Sequence, residues 1–154
     1  VGKRKTKSQK SLREISAGGV VFKKENDQTL WLIVKPQGTD RWQLPKGKIE
    51  EKENVFSAAM RETEEEGGVK VKVIKKIGSS SYFYFWEGSR RFKIVVYFLM
   101  QYLGETKKGH DEEIEETQFL SFKEALAKLT FKDDKKIMEM GKKLTEKGIQ
   151  ESLV

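Results

Sequence analysis

Three glutamates, Glu62, Glu65 and Glu66, lie close together in a stretch with the marks of a helix. Residues 53–67 contain Ala58, Ala59, Met60 and many acids, with no glycine or proline until Gly67-Gly68 supplies a stop. At about 100° per residue, Ala58, Ala59, Glu62, Glu65 and Glu66 all fall within about 80° of Val55, while Glu64 lies opposite. The three carboxylates therefore share the stripe of small apolar residues, whereas an ordinary surface helix turns its acids away from that stripe. Acids gathered near a core repel one another with little screening. A hard divalent cation relieves the repulsion, and oxygen-only donors favour magnesium or manganese over zinc. The chain has no cysteine and a single histidine, His110, which excludes thiolate sites and sites needing two imidazoles. Arg61 adjoins the cluster and can hold a carboxylate through two N–H groups. Magnesium is usually shared with substrate phosphates, so such a cluster suits a pyrophosphate attacked by an activated water. On helical geometry alone a solvated acidic helix stays open as the alternative, because a frame error of one residue would turn the stripe outward.

The wider pattern is more specific. Gly47, five residues, Glu53, seven residues, then Arg61-Glu62-Thr63-Glu64-Glu65-Glu66-Gly67-Gly68-Val69 resembles the Nudix box at every fixed position. Thr63 departs from it, standing where a bulky aliphatic residue is usual. Flanking segments Ser16-Ala17-Gly18-Gly19-Val20-Val21-Phe22 and Trp42-Gln43-Leu44-Pro45-Lys46 extend the resemblance from about Ser16 to the end of the chain. The resemblance implies that Glu62, Glu65 and Glu66 ligate Mg2+, with Mn2+ as a substitute, and that the Gly47 carbonyl joins them. It implies that Glu53 and Arg61 orient loop and helix, with Glu65 and Glu66 in the catalytic centre. A further acid beyond the box, Glu113, is expected as metal ligand or base. Its crowding by Glu112, Glu115 and Glu116 also fits a solvated loop.

The flanks are similar to those of the asymmetric diadenosine tetraphosphate hydrolases, in Ile77-Gly78 and in Arg91-Phe92-Lys93-Ile94-Val95-Val96-Tyr97-Phe98-Leu99-Met100. That branch cleaves its substrate to ATP and AMP by attack of water on phosphorus. A tyrosine beyond the box stacks the nucleobase there, and Tyr82 and Tyr84 stand at about the right distance. Strand alternation puts these two rings on one face and Phe83 and Phe85 on the other, one face packing the core and the other offered to a base. Lys46, Lys48, Arg90, Arg91 and Lys93 are candidate cations for the polyphosphate. Rival readings keep the same box: a pyrophosphatase that sanitises oxidised nucleoside triphosphates, an RNA 5′-pyrophosphohydrolase, or a nucleotide-sensing module without turnover.

The elements that must carry these residues are short. Val20-Val21-Phe22 and Leu30-Trp31-Leu32-Ile33-Val34 read as paired strands across Glu25-Asn26-Asp27-Gln28. Trp42 to Pro45 is extended, and Gly47 marks a turn. Residues 69–77 alternate as a half-buried strand does, and 82–86 and 92–103 form two more across Glu87-Gly88-Ser89. Phe119 to Phe122 is a last strand, followed by helices near 122–129 and 132–147. Strands with an interposed helix and a helical end predict one α/β (α+β) domain, and the resemblance implies a mixed sheet sandwiched between helices.

The net charge of +7 suggests a nucleic-acid footprint, but its distribution weakens that reading. Residues 1–13 carry Lys3, Arg4, Lys5, Lys7, Lys10 and Arg13 and no acid, which leaves the remainder nearly neutral. Residues 1–13 are expected to be a basic flexible arm, able to attract RNA weakly, and 14–154 the catalytic domain. No apolar run suits a signal peptide or a membrane span. A cytoplasmic protein, monomeric or weakly dimeric, with a nucleotide substrate is the expectation.

Overall fold

The computed structural model describes residues 13–153. Of the expected arm only Arg13 is among them, as the first residue of a strand; the rest lies outside the described residues. That strand, β1 (Arg13–Glu25), is buried from Ser16 to Phe22 without a break. A continuous run rather than an alternation is what a strand covered on both faces requires. β1 turns into β2 (Gln28–Pro36) through Asn26 and Asp27, whose φ values of 49° and 64° fit the left-handed conformations that a two-residue hairpin loop demands.

The sheet runs β4 (Val69–Trp86), β5 (Ser89–Glu105), β1, β2, β6 (Ile114–Ser121). β3 (Lys46–Lys48) pairs with the first half of β1, setting Ala17 opposite Gly47. β1 and β5 (Ser89–Glu105) are parallel and the remaining pairings antiparallel, so the sheet is mixed. α1 (Val55–Gly67) covers one face, where Ala58 and Ala59 meet Ala17, Val21, Leu32, Val34 and Met100. α2 (Phe122–Lys128) and α3 (Lys132–Leu153) cover the other, where Ala125, Leu129, Ile137 and Met138 meet Val20, Trp31, Ile33 and Leu99. Each large apolar side chain so buried contributes roughly 1.5–3 kcal/mol. The predicted sandwich is the observed one.

Several boundaries differ from expectation. The helix begins at Val55 rather than 53, because the Asn54 side chain accepts from Ser57 N at 2.8 Å and caps it. Gly47 is not in a turn but inside β3. The separate strands expected at 69–77 and 82–86 are one strand, β4 (Val69–Trp86). Gly78 and Ser79 to Ser81 are weak strand formers, yet β5 offers them a continuous partner in regular register, the three register shifts of the ladder all falling between Lys70 and Gly78. β6 (Ile114–Ser121) starts earlier than expected, since Ile114 and Glu116 pair with Pro36 and Lys35 of β2 across a register shift at Glu115, whose carboxylate meets the Lys35 ammonium.

Beyond the helices the β4–β5 hairpin runs on to its turn at Glu87-Gly88. Tyr82 and Tyr84 lie on one side of it. Phe83 and Phe85, expected in the core, are 57% and 73% exposed on the other. The alternation was right and the assignment of an apolar neighbour to that face was not, because the hairpin has outrun the layer that would cover it.

Candidate active site

The site is assembled around Arg61. Its Nε and one terminal nitrogen donate to the two Glu53 oxygens at 2.6 and 3.0 Å. The other terminal nitrogen reaches Glu62 at 2.9 Å and Glu65 at 3.2 Å, and the guanidinium also donates to the Lys48 carbonyl at 3.1 Å. Five donors in a rigid fork thus tie the pre-helix turn, β3 and two acids of α1 into one unit. Hydrogen bonding from Arg61, then from Glu50 N, holds the Glu53 carboxyl down at about 2.

The far end of α1 is fixed by its last turn. Gly68 takes φ 67° and its N–H returns to the Glu64 carbonyl, a left-handed cap. A Cβ there would also meet His110 N at 2.5 Å, so only glycine lets the loop of residues 106–111 come this close. That loop is fastened to the helix end by Thr106 N to Gly68 O and Asp111 N to Glu65 O.

Between these anchors Glu62 and Glu66 turn inward, while Glu65, expected on the same stripe, stays exposed at its edge. Glu62 lies under β3: a Cβ on Gly47 would sit 2.1 Å from its carboxylate. Glycine is needed at 47 for that space, not for a turn. Glu66 is 8% exposed and accepts from Lys46 N at 3.0 Å. Burial pushes its carboxyl up to about 7; the Lys46 amide and charge resist, while Glu62 and Asp111 push the same way as burial. Burial likewise raises Glu62 against the pull of Arg61. Glu65 is half-exposed at the rim, and Glu64 points away to accept from Val71 N. Thr63 is buried beneath Gly19, its hydroxyl without a hydrogen-bond partner among the described residues.

Among the described residues no three acidic or imidazole groups gather closely enough to cage an ion by themselves. Magnesium asks for less: one or two carboxylates, with water and substrate phosphates completing its shell. Two desolvated, mutually repelling carboxylates beside a side-chain-free stretch of β3 fit such a cation.

All six residues expected to bind substrate share one sheet face on the α3 side. Tyr82 is paired with Lys93, and Tyr84 with Arg91. Lys46 and Lys48 face the same way from β3. Glu14, which the sequence did not single out, organises them. It accepts from the Tyr84 hydroxyl and pairs with Lys48 at 3.6 Å and Lys93 at 3.8 Å. Burial works to raise the Glu14 carboxyl, but these partners outweigh it and lower it. Burial, then the neighbouring Lys46 charge, lowers Lys93. Asp134 was also missed. It is 5% exposed, accepts from Leu44 N at 3.2 Å, and is raised to about 6 by burial. The Lys46 charge acts on Glu66, Asp134 and Lys93 alike, so the acidic and aromatic surfaces adjoin across β3.

Glu113 stands exposed, its carbonyl bound to Gln37 N and its amide to the Asp111 carboxylate. Asp111 is half-buried and is the loop acid whose charge reaches both Glu62 and Glu66. Sequence spacing does not distinguish the two; the Asp111 N to Glu65 O bond does.

The NUDIX domain family matches residues 12–140. A Mycobacterium tuberculosis (strain CDC 1551 / Oshkosh) relative named for a mutator protein, MutT4, is 31% identical over 144 residues, covering 90% of this chain and 58% of its own. The chain thus spans just over half the length of that relative. Among solved structures, a C. elegans Ap4A hydrolase binary complex superposes with TM-score 0.71 at 19% identity, over 86% of this chain and 98% of that one. The Escherichia coli (E. coli) dihydroneopterin triphosphate pyrophosphohydrolase gives 0.66 at 19%, over 81% and 92%. At these identities the superpositions speak for the fold, and the family match covers the box and its flanks together: the chain belongs to the NUDIX family.

Proposed function

We propose that the protein is a divalent-metal-dependent pyrophosphohydrolase that cleaves dinucleoside polyphosphates, diadenosine tetraphosphate being converted to ATP and AMP. The observation that carries the reading is the junction at β3: Glu62 and Glu66 meet its main chain from the α1 side, while the tyrosines and lysines crowd its other side. Glu62, Glu65 and Glu66, with the Gly47 carbonyl, would hold the cation, magnesium by its oxygen donors. When bound it supplies charge neutralisation for the polyphosphate and eases deprotonation of the attacking water.

The chain's own residues do the rest. Arg61 and Glu53 keep the carboxylates aimed without being consumed. Glu113, or Asp111 beside it, accepts the one proton that the water gives up. Lys46, Lys48, Arg91 and Lys93 neutralise phosphate oxygens, and Tyr82 or Tyr84 stacks the adenine. The water attacks one phosphorus, the anhydride bond to the leaving nucleotide breaks, and that nucleotide departs as a phosphate. The absence of cysteine suits a reducing compartment, and we infer a cytoplasmic setting.

The mutator-protein relative favours a second reading, hydrolysis of nucleoside triphosphates to monophosphates by the same carboxylates. Specificity constants for diadenosine tetraphosphate, nucleoside triphosphates, ADP-ribose and 5′-triphosphorylated RNA, measured with magnesium, decide between them. The first reading requires the dinucleotide to lead; a larger constant for any other class replaces it.

A further inference from the structure

A groove outside the tyrosine face has no role in the account above. It runs along the outer side of α1, with a cavity of about 410 Å³ whose walls include Phe56, Ser57, Met60, Lys108 and Gly109. It continues past Glu65 and Lys108 into a second cavity of about 570 Å³ beside Asp111. Both volumes lie in the range that small ligands occupy. The groove ends in apolar surface: Phe56 is 50% exposed and Met60 36%. Phe56 is not loose, because its ring stands on Phe98 at 5.8 Å and 81°. The acid on this wall, Glu64, is engaged by Val71 N, and Lys108 supplies a cation at the mouth. The loop forming the opposite wall is fixed to the helix through Gly68 and Glu65.

The positions give a scale. At 1.5 Å per residue, Met60 lies about 7 Å and Phe56 about 13 Å from Glu65 along the helix. A held aromatic ring at that distance, with Lys108 lining both cavities, matches a base, a sugar and a phosphate in line. The tyrosine face lies across β3 on the other side of the carboxylates. We propose that this groove seats the second nucleoside of a two-nucleoside polyphosphate, its base against Phe56 and Met60 and its phosphate by Lys108. The inference rests on the dinucleotide reading and adds to it a reason why a substrate with a base at each end is preferred to one with a single base.

The test compares diadenosine tetraphosphate with adenosine 5′-tetraphosphate, which lacks the second nucleoside, in the wild type and in Phe56→Ala and Met60→Ala. The ratio of kcat/KM for the first to that for the second should fall about tenfold in the variants, the effect of losing one stacking surface for a base. An independent reading uses methyl-labelled methionine in the chelator-treated protein, titrated with diadenosine tetraphosphate. The Met60 methyl signal should shift, while the half-exposed Met140 on α3 stays still. An unchanged ratio in both variants, or an unmoved Met60 signal, overturns the assignment. If the wild type cleaves neither compound, the dinucleotide reading itself falls and this inference falls with it; if it cleaves both and the ratio does not move, only the groove is lost.

Discussion

Glu66 makes the sharpest prediction, because the same carboxylate to which the proposed chemistry is assigned should weaken the fold when no cation is present. Burial raises it from 4.5 to about 7, and one pKa unit corresponds to about 1.4 kcal/mol, so ionising it in the folded state costs about 3 kcal/mol. A carboxyl raised in this way stabilises the fold most below its unfolded value, where it is protonated in both states. That contribution is lost as pH rises through the folded value, so the window runs from about pH 4.5 to about pH 7. Glu66→Gln keeps an oxygen for the Lys46 amide and cannot ionise. In chelator the variant should match the wild type near pH 4 and exceed it near pH 8 by up to about 3 kcal/mol, or roughly 6–12 °C in Tm for a chain of this size. Asp134, raised to about 6 by burial, shifts both proteins alike and cancels in the difference. Adding magnesium at pH 8 should raise the wild-type Tm and leave the variant nearly unmoved. Denaturant melts at both pH values measure the gap. Equal stability of the two proteins at pH 8 in chelator would refute the claim that Glu66 is held charged against its burial.

Three further outcomes follow from the geometry. Glu65→Gln alters a half-exposed group, so Tm should barely change while turnover with magnesium falls by orders of magnitude; near wild-type kcat would remove Glu65 from the metal site. Gly47→Ala puts a methyl 2.1 Å from the Glu62 carboxylate, which as the end of a flexible side chain swings aside, so thermal melts should change little while activity is lost. Arg61→Lys keeps the charge but not the fork to Glu53, Glu62 and Glu65, and should cut metal affinity or kcat/KM about 10- to 100-fold with Glu53 left in place.

The carboxylate stripe was legible from residue 55 onward because a helix has one period, and Val55, Ala58 and Ala59 fix its phase. The tyrosine–lysine face was legible as a set of residues but not as a surface, because alternation gives parity and not neighbours. It needed the ladder to put Lys93 beside Tyr82, and a parallel pairing of distant β1 with β5 to bring Glu14 there. Glu14 and Asp134 left no mark in the sequence: each looks like an ordinary charged residue until another element folds over it. Gly47 was noticed for the wrong reason. Turn chemistry is written locally, whereas the need for an empty Cβ came from a helix 15 residues on, at Glu62. Gly78 to Ser81 misled in the same way, their poor local preference overridden by a partner strand.

The overhanging hairpin has one more consequence. Its tip, from Phe83 to Arg90, is held by its own ladder, by the Tyr84 hydroxyl on Glu14 and by the Arg90 guanidinium over the Phe83 ring at 3.9 Å rather than by either helical layer. Replacing that tip leaves Arg61, Glu62, Glu66 and Gly47 with every neighbour they now have. On the function proposed above, Tyr84 at the tip is therefore separable from the carboxylates, and a grafted hairpin would change the contact offered to the base without rebuilding the centre around Arg61.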